Sequence, residues 1–110
     1  MLTRTEEMLL LSVCRLQTEA FGNNIREEVE SITGRRYSVG GVYVPLDRLE
    51  KKGLLTTEEG RATESRLGRP RRLYRITSAG LAALKEARAM QESMWASLPD
   101  RLAEQLRFSI

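Results

Sequence analysis

The sequence predicts a mainly α fold with a small β-hairpin and a long C-terminal helix. Apolar residues recur at helical spacing in three segments before residue 53, shorter β-compatible segments follow over residues 54–76, and a long amphipathic segment comes last. The 110 residues suffice for one hydrophobic core. We therefore expect a compact domain over residues 1–77 and a C-terminal helix with a short tail over residues 78–110.

The composition is that of a globular protein, with 41% hydrophobic and 30% charged residues. Uninterrupted apolar runs, such as residues 8–11, are far shorter than the ~20 residues of a membrane span, and no secretory leader is recognisable, so we predict a cytoplasmic protein. The chain has no histidine and a single cysteine, Cys14, which we interpret as a small buried hydrophobe. We therefore expect no metal, no cofactor and no enzymatic activity.

The first helix is predicted to run from Thr3 to about Gln17. Thr3 and Glu6 have the spacing of a capping box, in which each side chain bonds the other residue's backbone. The apolar residues of this segment cover more of the helix than one stripe. Its second side is then covered either by the rest of a small core or by another subunit.

The second helix is predicted to follow the break at residues 21–22, with Asn24 and Glu27 as its capping pair. We expect it to end at Gly34, because glycine is favoured just after a helix. Its buried face is predicted to carry Ile25, Val29 and Ile32.

The third helix is predicted to begin after Ser38, a good N-cap residue, and to end at Gly53. Pro45 lies inside it, where proline removes one backbone hydrogen bond and pushes against the carbonyl of Gly41. The predicted buried residues of this helix are Val42, Leu46 and Leu49.

A β-hairpin is predicted next, with strands over residues 54–58 and 71–76 and a long polar tip. In the second strand we expect Tyr74 and Ile76 on one face and Leu73 and Arg75 on the other. No acidic residue occurs from residue 66 to residue 75, whereas this stretch contains five bases: Arg66, Arg69, Arg71, Arg72 and Arg75.

The last long helix is predicted from residue 78 to about residue 98, with Thr77 as its cap and Pro99 interrupting it. A lone amphipathic helix after a complete domain usually buries its apolar face against another chain, so we predict a homodimer. A short final helix continues this surface. The predicted dimerisation residues are Leu10, Leu81, Leu84, Ala87, Gln91, Met94, Trp95 and Leu98.

Met90, Met94 and Trp95 allow two interpretations. They either line a cavity for a small-molecule inducer between the subunits or simply pack the dimer interface. The second interpretation is favoured, because methionine and tryptophan at helical spacing usually mark an apolar contact.

Positive charge is concentrated in the middle of the chain. Residues 35–75 contain eleven bases and five acids, a balance of +6, whereas the whole chain carries +3, so the remainder carries −3. Clustered cations attract a polyanion such as nucleic acid. A solvated charged surface accounts for the charge alone about as well.

Three helices followed by a two-stranded wing correspond to the winged helix-turn-helix, in which the helix after the turn enters the major groove of DNA. The residues opposite the predicted buried face of that helix would then face the groove, with Tyr43 at the flank. Glycine at positions 40 and 41 permits a close approach of DNA, although a late helix start explains it equally well. The groove-facing residues are Gly40, Gly41, Val44, Asp47, Arg48 and Lys51.

Two segments resemble a known family. Residues 40–55, GGVYVPLDRLEKKGLL, resemble the signature G-x-[LV]-Y-x-x-L-x-R-L-E-x-x-G-[LIV] of PadR-like transcriptional regulators, and residues 68–80, GRPRRLYRITSAG, resemble their wing strand and the junction after it. The similarity spans about residues 8–87. The family commonly has threonine or serine where Gly41 stands, and often proline one position before Pro45.

This resemblance implies a homodimeric bacterial repressor that binds double-stranded DNA. It places Tyr43 and Arg48 on the DNA-facing side of the recognition helix and makes Leu49 and Tyr74 core residues. Arg48 either pairs with guanine or, as we favour, forms a salt bridge or clamps phosphate. Tyr43 either contacts phosphate or packs as a half-buried ring. The predicted DNA-binding residues are Arg35, Arg36, Ser38, Gly40, Gly41, Tyr43, Val44, Arg48, Lys51, Arg66, Arg69, Arg71 and Arg72.

The leading hypothesis is therefore a sequence-specific repressor that binds a palindromic operator as a homodimer. The alternative is a winged-helix adaptor that binds proteins and no specific DNA, since a fold does not fix a function. It is motivated by Asp47 and Glu50, which dilute the positive charge of the recognition helix.

Overall fold

The computed structural model describes residues 1–59 and 71–107 of the chain. Within them the predicted order of elements is confirmed. Helices α1, α2 and α3 are followed by an antiparallel pair of strands, β1 and β2, and by helices α4 and α5. Their bounds are Arg4–Leu16 (α1), Gly22–Thr33 (α2), Val39–Lys51 (α3), Leu55–Glu59 (β1), Arg72–Ile76 (β2), Ser78–Ala96 (α4) and Asp100–Arg107 (α5).

Helix α1 begins with the predicted capping box. The backbone N–H of Thr3 donates to Glu6 Oε1 at 2.9 Å, and the backbone N–H of Glu6 donates to Thr3 Oγ1 at 3.1 Å. The buried Glu6 carboxylate also accepts a hydrogen bond from Lys52 Nζ at 2.7 Å. Bonding to Lys52 and to the Thr3 backbone lowers the pKa of Glu6 from its ordinary value. The start of α1 is thereby fastened to the end of α3.

The capping pair predicted for α2 is wrong. The N-cap residue is Phe21, which has no side-chain capping bond, and Asn24 instead donates from Nδ2 to the carbonyl of Glu19 at 2.8 Å. The prediction that Ile32 is buried is also wrong, because this residue is 59% exposed, whereas Ile25 and Val29 are buried. Helix α2 ends at Gly34 as predicted, in the left-handed conformation with φ of 70°.

The hairpin pairs Leu55 with Ile76 and Glu59 with Arg72. Tyr74 is buried as predicted, but Leu73, expected on the face of Arg75, is buried as well, with 9% of its surface exposed. The reason is the segment before α2, because Phe21 forms an isolated bridge with Leu73 on the free edge of β2 and the Tyr74 N–H donates to the Ala20 carbonyl. The core between these elements and the helices consists of Leu9, Leu10, Val13, Ala20, Phe21, Ile25, Val29, Val42, Leu46, Leu49, Leu55, Leu73 and Tyr74.

Helix α4 begins against the end of α3. The Thr77 hydroxyl accepts from the Gly80 N–H at 3.0 Å and donates to the Gly53 carbonyl at 2.7 Å. Gly80 is required there, because a Cβ would collide with the Leu54 carbonyl and lie 2.7 Å from Ile76 Cγ1. Among the described residues, 1–59 and 71–107, no helix combines the length and apolar character needed to cross a membrane.

Candidate nucleic-acid interface

One face of helix α3 packs in the core, and the opposite face is exposed. Ser38 caps it, because its Oγ accepts from the Gly41 N–H at 2.9 Å. Val42, Leu46 and Leu49 are fully buried in the core, as predicted. Every predicted groove-facing residue lies at the surface; we call this set the outer face of α3, and it consists of Gly40, Gly41, Val44, Asp47, Arg48 and Lys51.

Tyr43 lies at the flank of this face and is half-buried. Its ring occupies the space beside Gly22 at the start of α2, where a Cβ would lie 2.6 Å from Tyr43 Cζ. The neighbouring Tyr74 is buried, and burial together with the negative charge of Asp47 raises the pKa of Tyr74 to about 12. Tyr74 is therefore a neutral core residue, whereas Tyr43 reaches from the core to the surface.

The link between α2 and α3 carries Arg35 and Arg36, both exposed. The Arg35 N–H donates to Thr33 Oγ1 at 3.2 Å, and the Tyr37 N–H donates to Glu30 Oε2 at 2.8 Å. These bonds fix the turn ahead of α3 through its backbone. The sequence contains no indication of this role of Glu30. The contact forms only because the turn brings Tyr37 back to α2, and no local motif marks such a contact.

The described arginines of the hairpin already make contacts within the chain. Arg71 stacks its guanidinium over the Phe21 ring, 4.3 Å from the ring centroid. Arg75 forms a cross-strand ion pair with Glu58 at 2.8 Å, and Arg72 lies 3.8 Å from Glu50. Arg66 and Arg69, predicted at the tip, lie outside the described residues.

Glu50 has a structural role that the sequence did not reveal. Its Oε2 accepts a hydrogen bond from the Thr57 hydroxyl at 2.9 Å, and its Oε1 faces Arg72. Its negative charge is thus directed at the hairpin and away from the outer face of α3. Only the register of the folded hairpin brings Thr57 and Arg72 to this helix, so no local sequence signal could have found the contact. This placement weakens one of the two motives for the adaptor alternative.

The sequence of residues 10–86 matches the family described as the transcriptional regulator PadR-like family, over more than half of the chain. The chain belongs to the PadR-like family. The resemblance inferred from the two motifs is thereby confirmed, and with it the winged helix-turn-helix fold and the general assignment to transcription regulation.

Comparison with known proteins shows how far the likeness extends. The transcriptional regulator Rv3488 of Mycobacterium tuberculosis is 48% identical over 61 residues, which are 56% of this PadR-like chain and 53% of the relative. The chain thus spans about half the length of the curated relative it matches. A solved PadR family regulator from Eggerthella lenta is 25% identical, with a TM-score of 0.62 over 92% of this chain and 82% of the other. A PadR family regulator from Clostridium difficile R20291 is 23% identical, with a TM-score of 0.63 over 79% and 88%.

The predicted dimerisation residues of this PadR-like chain differ in how far the chain itself covers them. Leu10 is wrong as a contact for a second subunit, because it is completely buried in the chain's own core. Leu84 packs against that core at the near end of α4, and Gln91 donates to the Glu7 carboxylate at 3.1 Å. Leu81, Met94 and Trp95 are exposed, the last at 61%, while Ala87 and Leu98 are half-buried.

Proposed function

We propose that this PadR-like chain is a sequence-specific DNA-binding repressor that acts as a homodimer on a palindromic operator. The observation that carries the proposal is the division of α3 into a buried face and the outer face. The first turn of α3, capped by Ser38, exposes the backbone at two glycines, and the later turns expose the side chains of Arg48 and Lys51. A helix in this position of a winged helix-turn-helix fits the major groove.

The surroundings of α3 support contact with the phosphate backbone. Arg35 and Arg36 are exposed shortly before the helix, and Arg71 and Arg72 lie at the start of β2, where Arg72 is 3.8 Å from Glu50 of α3. Cations on both flanks of a recognition helix match the two strands that border a groove. We assign these four arginines, with Arg48, Ser38 and the Tyr43 hydroxyl, to phosphate and the rest of the outer face of α3 to the bases. Arg66 and Arg69 lie outside the described residues, and we include them in the proposal on the basis of the sequence alone.

The dimer is proposed from the apolar surface of α4. Leu81, Met90, Met94 and Trp95 are exposed in the single chain, and several large apolar side chains exposed along one helix usually mark a contact with another protein. We therefore divide the chain into a DNA-binding domain over residues 1–77 and a dimerisation region over residues 78–110. Two copies related by a two-fold axis would place two α3 helices on a pseudo-palindromic site.

Repression follows from occupancy, because a dimer that covers two half-sites near a promoter excludes polymerase from the same stretch of DNA. Such a protein acts where the chromosome lies, which is the cytoplasm of a bacterial cell.

The test is selection of bound duplexes from a random pool, followed by titration of the selected site at increasing salt. We expect a two-fold symmetric consensus and an affinity that falls steeply with salt, because bound cations displace condensed counterions from DNA. Replacing Arg35 and Arg36 with alanine should reduce the slope of log affinity against log salt by about one for each phosphate that is no longer neutralised.

Arg88→Ala is the matched control for that titration. Arg88 is an exposed base on α4, a helix outside the proposed DNA-binding surface, and is paired with Glu92 at 2.8 Å. It should leave the slope unchanged. Failure to select any DNA sequence, together with stable copurification of a protein partner, would instead support the adaptor function.

A further inference from the structure

Three consecutive residues, Phe21, Gly22 and Asn23, gather side chains from two other elements. The Arg71 guanidinium, just ahead of β2, lies over the Phe21 ring at 4.3 Å from its centroid. Gly22 leaves room for Tyr43 of α3, whose hydroxyl oxygen is among the atoms that a Cβ at Gly22 would strike. The side chain of Asn23 is exposed. Because neighbouring Cα atoms are only about 3.8 Å apart, Arg71 and Tyr43 are both brought close to Asn23.

These five residues line one cleft of about 430 Å³, which we call the α2–α3–β2 cleft. The other residues that line it are Asp47, Arg72 and Tyr74. Two of the lining side chains are arginines and one is an acid, so the charge of the cleft is positive on balance. Since Asp47 belongs to the outer face of α3, the cleft borders the surface that we assign to the DNA groove.

Two hydrogen-bond donors in the cleft have no partner within the part of the chain that the structure describes. Neither the hydroxyl of the half-buried Tyr43 nor the side-chain amide of Asn23 bonds a group in residues 1–59 or 71–107. The next residue differs, because Asn24 Nδ2 donates to the Glu19 carbonyl at 2.8 Å. Tyrosine hydroxyls that lie partly inside a protein usually have a hydrogen-bond partner. The cleft therefore offers two donors to an acceptor from outside the chain.

The stacking of Arg71 is compatible with binding an anion. Stacking on Phe21 engages the flat face of the guanidinium, whereas a phosphate bonds along its edge, so one arginine makes both contacts at once. The ring also restricts the rotamers of Arg71 before DNA arrives, which lowers the entropy lost on binding. Guanidinium, hydroxyl and amide groups are the side-chain donors with which proteins hold backbone phosphates.

We propose that the α2–α3–β2 cleft binds one phosphate of the operator backbone, to which Arg71, the Tyr43 hydroxyl and the Asn23 amide all donate. This inference rests on the proposed DNA binding and extends it in two ways. Asn23 becomes a DNA-binding residue, and Phe21 becomes a positioning residue that holds Arg71. Because a single anion then contacts α2, α3 and the start of β2, the hairpin and the recognition helix bind DNA as one unit.

The first experiment measures the affinity of Asn23→Ala for a duplex selected from a random pool by the wild-type chain. We expect a loss of about 3- to 10-fold, the range of one hydrogen bond, with an unchanged salt slope because asparagine is neutral. Arg71→Ala should lower the affinity and also reduce the slope by about one. The matched control is Thr18→Ala, an exposed neutral residue that does not line the cleft. An unchanged affinity of Asn23→Ala would overturn the proposal.

The second experiment locates the phosphate. Each phosphate of the selected duplex is replaced in turn by an uncharged methylphosphonate. At one phosphate in each half-site we expect the wild-type chain to lose affinity and the Asn23→Ala, Arg71→Ala and Tyr43→Phe variants to lose markedly less, because both changes remove the same contact. Equal losses in the wild-type chain and the variants at every phosphate would overturn the proposal, as would variants that respond at different phosphates.

The third experiment tests Phe21 as a positioning residue. Phe21→Leu removes the ring and should lower the affinity of the folded protein in the wild-type background but not in the Arg71→Ala background. Phe21→Tyr keeps the ring and should restore the affinity. Equal losses in both backgrounds would overturn the positioning role, because a purely structural effect does not depend on Arg71.

Failure of this inference is distinguishable from failure of the proposed function. A wild-type chain that selects no duplex defeats the proposed DNA binding. Normal selection by the wild-type chain, with no phosphate at which Asn23 and Arg71 are coupled, defeats the inference about the cleft alone.

Discussion

The ring of Tyr43 occupies the space that a side chain at Gly22 would fill. A Cβ at Gly22 would lie 2.5 Å from Tyr43 Cε1 and 2.6 Å from Cζ, both far inside van der Waals contact. Gly22 is buried at the start of α2, and Tyr43 belongs to α3. This contact therefore sets the distance between the two helices of the helix-turn-helix, and with it the position of the outer face of α3.

Gly22→Ala is expected to destabilise the fold by about 1–3 kcal/mol, the usual cost of overpacking a tight contact. Urea unfolding measures the change. Gly40→Ala is the matched control, since a Cβ there meets open space and should be neutral or stabilising. If the contact with the ring is the cause, the penalty at Gly22 shrinks in a Tyr43→Ala background. An undiminished penalty in that background would show that the ring is not responsible.

The ion pair between Glu6 and Lys52 predicts a specific dependence of stability on pH. The pKa of Glu6 is lowered in the folded protein, chiefly by Lys52, from an ordinary value of 4.5. Its stabilising contribution is therefore fully present above pH 4.5 and is lost as the pH falls through the lower, folded pKa. Glu6→Gln should cost about 1–2 kcal/mol at neutral pH and flatten the acid side of the stability profile.

The control for that profile is Glu92→Gln. Glu92 forms an exposed pair with Arg88 within α4 and should change neither the stability at neutral pH nor the shape of the acid limb appreciably. Parallel acid limbs for the wild-type and Glu6→Gln proteins would contradict the role assigned to Glu6.

The proposed dimer predicts a concentration-dependent signal from the chain's single tryptophan. Trp95 is 61% exposed in the single chain, so burial against a second copy should shift its emission to shorter wavelength as concentration rises. Light scattering should give twice the mass of one chain at micromolar concentration. Replacing Leu81 and Met94 with serine should reduce the mass towards that of one chain.

Ile32→Ser provides the control for the dimer experiment. Ile32 is comparably exposed at 59% but lies on α2, away from the α4 surface. It should leave the mass and the emission of Trp95 unchanged. A single-chain mass for the wild-type protein would refute the dimer.

Local signals in the sequence predicted most element boundaries, because the atoms that decide them lie within a few residues. Ser38, Thr3 and Thr77 cap the helices they were expected to cap, and Gly34 ends α2. Asn24 failed as a cap because the start of α2 is set by the pairing of Phe21 with β2, a contact 52 residues away along the chain. Capping motifs carry no information about such a partner.

The faces of elements were harder to predict than their ends. Ile32 shares helical spacing with Val29, yet Val29 is buried in the core and Ile32 is exposed. Leu10 was predicted at a subunit interface because α1 is apolar on several sides, but the chain's own core covers it. Likewise, Glu50 was predicted to dilute the positive charge of the recognition helix, whereas its carboxylate contacts Thr57 and Arg72 of the hairpin.

A strained residue at the end of α1 gives a further prediction for stability. Gln17 has φ of 52° and ψ of −114°, the one positive φ among the described residues other than glycine. Its N–H donates to the Val13 carbonyl, and the chain then enters a tight turn towards Ala20. Side chains rarely adopt this conformation, which costs about 1–3 kcal/mol, whereas glycine adopts it freely.

Gln17→Gly should therefore stabilise the protein by about 1 kcal/mol, after the added flexibility of the unfolded chain is subtracted from the relieved strain. Gln17→Ala is the informative comparison, since it removes the same side-chain atoms beyond Cβ but keeps the strain. A gain in the free energy of unfolding with glycine and none with alanine would locate the strain in the backbone. Equal effects of both substitutions would assign it to the glutamine side chain instead.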